Sequence, residues 1–203
     1  MLEAFQPPER VPKSIGSERI TLRQYRMQDV DEYAALYQSS FKDHLEPWSP
    51  PAELDGSDAS ARRASREHII AALDKWEEGT DYRFFIILRS TNQIVGQLGI
   101  TQIVRNVSQS ATIGYWIGKP FINQGFATEA VLLAIQYAFD CLKLHRVSFW
   151  ISPDNAPSLR IMEKLGLRRE GTALDALFLG GHWQDTDIFA MTTEEWSTRI
   201  RGI

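Results

Sequence analysis

Residues 114–130, GYWIGKPFINQGFATEA, decide the fold of this chain. An alternating segment, residues 111–117, runs into a Gly-Lys-Pro turn and a short bridge, and Gly125 and Ala127 then mark the start of a predicted helix. Glycine and alanine leave the backbone uncovered there. The first N–H groups of a helix have no partner inside it, and the helix dipole adds partial positive charge. This geometry suits a diphosphate, although an ordinary strand-to-helix connection has the same sequence features.

The flanking segments extend this unit into a strand–helix–strand crossover. Residues 109–117 alternate polar and apolar side chains, as a half-buried strand does. Residues 127–142 carry apolar side chains around most of a helix, which must therefore lie against a sheet. Residues 146–151 form a continuous strand, and the crossover predicts that it runs parallel to residues 109–117.

The rest of the pattern predicts a mostly antiparallel sheet. Residues 82–89 and 93–104 form a predicted hairpin, and residues 44–58, which contain three prolines and several acids, are a predicted loop. The fold class is therefore α/β (α+β), with a mixed, mostly antiparallel twisted sheet of about seven strands, one parallel pair and flanking helices. The other predicted elements are strands at 19–25, 167–173 and 181–192, a first helix that follows residues 28–29 and has apolar positions 30, 33, 34 and 37, helices at 60–78 and 193–199, and a short helix that follows residues 152–158 and ends at residue 165.

Composition limits the class of protein. A chain of 203 residues with 43% hydrophobic residues can bury one core, and we assign residues 1–18 to an N-terminal arm and residues 19–203 to the domain. The formal net charge of −4 argues against a nucleic-acid partner. Cys141 is the only cysteine, so no intramolecular disulfide can form. We see neither a signal peptide nor an apolar run long enough for a bilayer, which predicts a cytoplasmic protein with no membrane partner.

Motifs along the chain resemble the GNAT superfamily of acyl-CoA-dependent N-acetyltransferases. The resemblance covers the sequence from about residue 19 to the C-terminus. It is closest to the RimJ/RimL type, enzymes that acetylate the N-terminal residue of ribosomal proteins, and within it to the RimJ branch. The motifs that carry it are HLEPW (44–48), GYWIG (114–118), QG (124–125), LHR (144–146), Asn155-x-x-Ser158, EG (170–171), GHWQD (181–185) and TTEEW (192–196).

The resemblance implies a site for acetyl-CoA, as co-substrate, between two parallel strands that splay apart. One strand would hold the pantetheine arm through its main chain and supply N–H donors to the oxyanion, and the glycine loop would hold the diphosphate. Ser158 would serve the departing thiolate, although a serine at that position is also an ordinary helix cap. No metal is expected. The implied cofactor-binding residues are Tyr115, Trp116, Ile117, Gln124, Gly125, Phe126, Ala127, Thr128 and Asn155.

Two positions depart from the family pattern. Ile122 stands where the loop usually opens with glutamine or arginine, and Leu177 stands where the other branch has a glutamate assigned as base. Leucine cannot accept a proton, so the group that deprotonates the amine is open. Glu46 and Asp175 are the candidate catalytic carboxylates, and each is also typical of an ordinary solvated side chain.

These observations leave three functions open. The first is acetyl transfer from acetyl-CoA to the N-terminal α-amine of a protein such as a ribosomal protein. The second is the same chemistry on a small amine, namely a polyamine, an amino sugar or an amino acid, which acids around the loop (Glu46, Glu53, Asp55 and Asp58) would attract. The third is a non-catalytic acyl-CoA-binding module. Either a monomer or a homodimer fits the sequence.

Overall fold

One mixed sheet organises the fold in the computed structural model, which describes residues 8–50 and 56–200. Its strand order is β1-β2-β3-β4-β5-β6-β8-β7. The seven expected strands are all present, and the eighth, β1, lies in the segment predicted to be an arm. The strands are β1 (Ser14–Gly16), β2 (Ile20–Gln24), β3 (Tyr82–Leu88), β4 (Gln93–Val104), β5 (Ser110–Ile117), β6 (Arg146–Ile151), β7 (Arg168–Leu179) and β8 (His182–Thr192).

Within the described residues five α-helices flank the sheet, and local capping sets the limits of the helix Asp58–Glu78, α2. The Ser57 side chain accepts the N–H of Ser60 at the start of α2, and Gly79, with φ of 71°, ends that helix. The helix expected at 127–142 begins at Phe126 and changes into a π-helical turn at Tyr137–Cys141. The helices are α1 (Val30–Ser40), α2 (Asp58–Glu78), α3 (Phe126–Gln136), α4 (Ala156–Lys164) and α5 (Thr193–Ile200).

Two apolar clusters cover the opposite faces of the sheet. Successive side chains of a strand point to opposite faces, and on β3 Phe84 and Ile86 belong to one cluster while Phe85 and Ile87 belong to the other. The larger cluster includes α3 and Trp196 of α5, and the smaller one joins the sheet to α1 and α2. Each fully buried side chain of this size contributes about 1.5–3 kcal/mol, so the sheet is fixed from both sides.

The parallel pair β5–β6 separates as predicted. Residues 149–151 of β6 still pair with β8. Within the described chain, however, residues 113–117 of β5 have no partner on β6. The sheet is therefore open between β5 and β6 beyond Thr112 and Ser148, whose hydroxyl oxygens lie 3.3 Å apart in the last row. The three paired rows are Ser110 with Arg146, Ala111 with Val147, and Thr112 with Ser148.

The segment expected to be a loop is partly helical. A π-helical turn, Phe41–Leu45, is followed by a 3-10 turn, Glu46–Trp48, and the residues after it contact the tip of the β7–β8 hairpin. The N–H of Gly180 donates to the Ser49 carbonyl at 3.1 Å. Residues 51–55, including the acids Glu53 and Asp55, lie outside the described residues, as do residues 1–7 of the arm.

Neither a membrane-spanning helix nor a cluster of metal ligands occurs among the described residues. None of the helices there combines the length and the apolar character that crossing a membrane requires. Within the same ranges, no group of three or more His, Cys, Asp or Glu side chains is arranged to hold a metal ion.

Candidate active site

The open part of β5 directs main-chain groups of alternate residues into the gap. Gly118 donates its N–H to Val95 of β4 at 2.8 Å, and main-chain groups alternate between the two sides of a strand. The groups of Tyr115 and Ile117 therefore point away from β4. An independent contact agrees with this direction, because His44 Nε2 donates to the Ile117 carbonyl at 3.1 Å.

Trp116 is oriented differently from its two neighbours. It lies opposite Gln97 in the β4–β5 register, so its main-chain groups face β4. Its half-buried ring packs on the α1 side, with centroids 6.1 Å from Tyr33 and 5.7 Å from Tyr37. Of the three residues expected to bind the pantetheine arm, the structure therefore places Tyr115 and Ile117 at the gap and directs Trp116 elsewhere.

The glycine loop presents consecutive N–H groups at the start of α3. Asn123 and Gly125 have left-handed backbone, with φ of 61° and 83°. The first helical bond runs from Glu129 N–H to the Gly125 carbonyl at 3.2 Å, so the preceding N–H groups have no acceptor in the helix. Those groups belong to Phe126, Ala127 and Thr128. A diphosphate is the kind of ligand that such a helix start accommodates.

The side-chain amide of Gln124 is already hydrogen-bonded within the loop, and its main-chain carbonyl accepts a hydrogen bond from Arg19. Its exposed side chain donates to the Pro120 carbonyl at 3.4 Å. Its own carbonyl accepts from Arg19 Nη1 at 3.0 Å, and the Arg19 guanidinium lies 5.1 Å above the Phe126 ring. Sequence reasoning missed Arg19, because more than one hundred residues separate it from the loop and no local pattern connects them.

Asn155 and Ser158 meet at the start of α4. The Asn155 side chain accepts the N–H of Ser158 at 3.2 Å, so asparagine is the N-cap. The capping role considered for serine is therefore filled by Asn155, and the Ser158 hydroxyl is left for another contact.

Tyr115 brings its hydroxyl close to Ser158. Burial raises the pKa of Tyr115 to about 12, and the Ser158 hydroxyl partly opposes that rise. Among the described residues, the buried Tyr115 hydroxyl has no partner at full hydrogen-bonding geometry. The Tyr115 and Ser158 hydroxyl groups thus lie near each other, one on β5 and one on α4, and of the two only Ser158 was expected from sequence to be chemically active.

The two candidate carboxylates lie near the β7–β8 hairpin. Asp175 is exposed, has φ of 45°, and receives a contact from Asp185, whose Oδ1 accepts the Asp175 N–H at 2.9 Å. Glu46 is exposed in the 3-10 turn whose next residue, Pro47, accepts from Gln184 Nε2 at 3.2 Å. Among residues 8–50 and 56–200, neither carboxylate forms an ion pair or a hydrogen bond to Ser158.

Two features of this site are those of an acyltransferase: a parallel strand pair that separates, and a helix N-terminus beside it whose first N–H groups have no acceptor in the helix. Comparisons with known proteins identify the class. Residues 19–168 match the family described as Acetyltransferase (GNAT) domain. The chain belongs to this family, and it is an N-acetyltransferase.

Three relatives show how far the similarity reaches. The chain is 33% identical over 177 residues to "Probable N-acetyltransferase YjcK" of Bacillus subtilis (strain 168), which covers 87% of this chain and 96% of that protein. It is 28% identical over 188 residues to "[Ribosomal protein uS5]-alanine N-acetyltransferase" of Escherichia coli (strain K12), covering 92% and 95%. The structure of Mycobacterium smegmatis RimJ in complex with CoA-disulfide superposes with a TM-score of 0.81 at 29% identity, covering 94% and 87%. The similarity to the RimJ type that the motifs indicate is thereby confirmed.

Proposed function

We propose that this enzyme transfers the acetyl group of acetyl-CoA to the N-terminal α-amine of a protein, and that its acceptor is a ribosomal protein. The observation that carries the proposal is the opening between β5 and β6 beside the start of α3. Its relatives support the acceptor, since one acts on alanine of ribosomal protein uS5 and another is a RimJ with bound CoA-disulfide.

The residues present fit acetyl-CoA. The outward main-chain groups of Tyr115 and Ile117 can pair with the amides of the pantetheine arm as a neighbouring strand would. The N–H groups of residues 126–128 can bind the diphosphate, helped by the positive end of the α3 dipole. Asn155 then acts by fixing the first turn of α4, on which Ser158 stands.

The reaction needs three groups from the chain. A neutral amine attacks the thioester carbonyl, the N–C bond forms, the C–S bond breaks, and the amine loses one proton while the thiolate gains one. The Tyr115 N–H, which points into the gap, is the candidate donor to the oxygen that becomes negative. The Ser158 hydroxyl is the candidate donor to the departing sulfur, and the buried Tyr115 hydroxyl near it can donate a hydrogen bond to the serine oxygen while keeping its own proton.

The pKa of the acceptor explains how the enzyme can act without a buried carboxylate base. A peptide α-amine with a pKa of ~7.8 is about one-tenth neutral at pH 7, whereas a lysine amine with a pKa of ~10.4 is less than about one-thousandth neutral. An α-amine can therefore lose its proton to a weak base or to water. Glu46 and Asp175, both exposed, are the side-chain candidates for this step.

A peptide panel tests the acceptor. The enzyme is incubated with acetyl-CoA and alanine-starting peptides, with the same peptides blocked at the N-terminus but containing lysine, and with small amines, and both thiol release and the acetylated position are measured. We expect acetylation of the free α-amine and none of the blocked peptides. Turnover of a polyamine or amino sugar with no reaction of any peptide would contradict the proposed acceptor while leaving the acetyltransferase assignment intact.

A further inference from the structure

Arg19, the residue before β2, lies across the glycine loop and contacts it at more than one point. Its Nη1 donates to the Gln124 carbonyl at 3.0 Å, and its guanidinium carbon lies 5.1 Å from the centre of the Phe126 ring. A Cβ placed on Gly125 would stand 3.4 Å from Arg19 Nη2. Two loop residues, Gln124 and Phe126, therefore contact one guanidinium group from a distant segment, and it passes close to Gly125 between them.

A carboxylate orients this guanidinium group. Arg19 Nε and Nη2 both donate to Glu129 in the first turn of α3, at 2.8 and 2.5 Å. Burial raises the pKa of Glu129, but hydrogen bonds from Ser17 and Arg19 outweigh it and hold that pKa below its ordinary value. Glu129 thus stays ionised and holds the arginine over the loop.

The contacts leave Arg19 able to bind a further anion. A guanidinium group has five N–H donors, and the described contacts use three of them. The Arg19 side chain is 50% exposed, against 17% for Glu129, so a ligand in solvent can reach it. A planar fork of this kind binds phosphate oxygens well.

Other charges near the loop are few. Within residues 118–130 the charged side chains are Lys119 and Glu129, and Lys119 pairs with Asp43 at 2.8 Å. Ile122 adds no charge to the loop. The positive side chain that lies over the loop is therefore supplied by the residue before β2 rather than by the loop itself.

We propose that Arg19 is a binding residue for the diphosphate of the acyl carrier: it fixes the glycine loop through Gln124 and directs its unused N–H groups at the phosphate oxygens. This inference rests on the proposed function, because it assumes that the loop binds CoA. According to this inference, Arg19 strengthens binding of the diphosphate half of the ligand and does not affect binding of the pantetheine half.

Calorimetric titration of three ligands tests the inference. CoA carries the diphosphate and the 3′-phosphate, dephospho-CoA carries the diphosphate alone, and pantetheine carries neither. For Arg19→Gln we expect dissociation constants for CoA and dephospho-CoA to rise by about tenfold or more, as for loss of a charge-assisted hydrogen bond, while that for pantetheine changes less than about twofold. Arg19→Lys, which keeps the charge without the fork, should give an intermediate loss.

Arg62→Gln is the matched control. Arg62 forms an exposed ion pair with Asp31 at 3.2 Å on the α2 side, and its loss should leave all three affinities unchanged. If Arg19→Gln weakened the binding of pantetheine and CoA equally, Arg19 would only support the fold. If it changed none of the three affinities, Arg19 would not be part of the binding site. A loss confined to CoA would assign it to the 3′-phosphate instead. Failure of the unaltered enzyme to bind CoA would overturn the proposed function itself, a result distinct from these.

Discussion

The imidazole of His44 donates from Nε2 to the main-chain carbonyl of Ile117, 3.1 Å away, at the end of the open strand β5. This hydrogen bond ties the helical turns at 41–48 to the strand that we assign to the pantetheine arm. The same turns contact the β7–β8 hairpin through Pro47 and Gln184. One segment therefore connects the two sides of the opening, and we expect it to form a wall of the acceptor site.

Loss of this hydrogen bond should weaken acceptor binding. His44→Ala removes a hydrogen bond with a net contribution of about 0.5–1.5 kcal/mol, which corresponds to a rise in the peptide KM of about 2–12-fold. The KM of acetyl-CoA should rise less, because the diphosphate contacts are unaffected. The control is His145→Ala, which removes an exposed partner of Glu194. Equal effects of the two variants on the peptide KM would show that the bond between His44 and Ile117 has no part in acceptor binding.

Ser158 and Asn155 can be separated by a paired experiment. Ser158→Ala should lower kcat about a hundredfold, as for loss of a proton donor, with little change in unfolding free energy, because the Ser158 hydroxyl is not part of the α4 cap. Asn155→Ala should instead destabilise the fold by about 1 kcal/mol through loss of that cap. Steady-state kinetics and urea unfolding distinguish the two. A Ser158→Ala enzyme with normal kcat would eliminate serine as the thiolate donor.

Tyr115→Phe tests the second hydroxyl group. If the Tyr115 hydroxyl supports Ser158 by hydrogen bonding to the serine oxygen, its loss should lower kcat several-fold and leave the KM of acetyl-CoA unchanged, since the main-chain groups of β5 remain. Because burial raises the pKa of Tyr115 to about 12, the hydroxyl stays protonated across the accessible range, and no step in the pH profile between 7 and 10 should be attributable to it. A drop in kcat for the wild type near pH 9–10 that is absent in Tyr115→Phe would contradict this assignment.

Gly125→Ala should weaken CoA binding through backbone strain. The φ of 83° at Gly125 is unfavourable for alanine by about 1–2 kcal/mol. Gly181 has φ of 84° and no atom within 4 Å of an added Cβ, so Gly181→Ala adds comparable strain in the β7–β8 hairpin. Both variants should lose stability in denaturant unfolding, but only Gly125→Ala should lose CoA affinity in a titration. Unchanged affinity in Gly125→Ala would argue against the loop as the diphosphate site.

The burial of His68 leads us to expect that the folded protein loses stability at mildly acidic pH. Burial and then the nearby Arg83 lower the pKa of His68 to about 4, although a hydrogen bond with Gln97 acts in the opposite direction. An unfolded histidine has a pKa of about 6.5, so between these values the unfolded state binds more protons and stability falls as the pH falls. From pH 7 to pH 5 we expect a loss of about 2 kcal/mol in unfolding free energy from this group.

Denaturant unfolding of wild type and His68→Gln at both pH values checks this effect. The variant should show a correspondingly smaller dependence on pH in that window, whatever its stability at pH 7. The same pH dependence in both proteins would mean that His68 does not carry the effect.

Much of the fold could be predicted because local patterns determine it. The strand expected at 146–151 is β6 as observed, and the crossover through a nearly all-apolar helix required a parallel neighbour. The strand β1 was missed because three residues with Ile15 as their only large apolar side chain carry too little periodicity. The turns at 41–48 were missed because prolines in the following segment indicate a loop, whereas contacts with Gly180 and Ile117 hold the chain in helical turns.

The candidate site was less predictable because its contacts join distant parts of the chain. The sequence suggested both Asn155 and Ser158 for the start of α4, but only the structure shows that Asn155 is the cap. The direction of Trp116 depends on its register with Gln97, which no local pattern reveals. Arg19 reaches the loop only because β2 and α3 pack together in the folded chain.

A crystal structure of the enzyme with CoA tests the central claim most directly. The account predicts diphosphate oxygens within hydrogen-bonding distance of the N–H groups of residues 126–128, and pantetheine amides paired with Tyr115 and Ile117 in the opening between β5 and β6. CoA bound away from this opening, or a closed β5–β6 pair with the ligand on the surface, would contradict it.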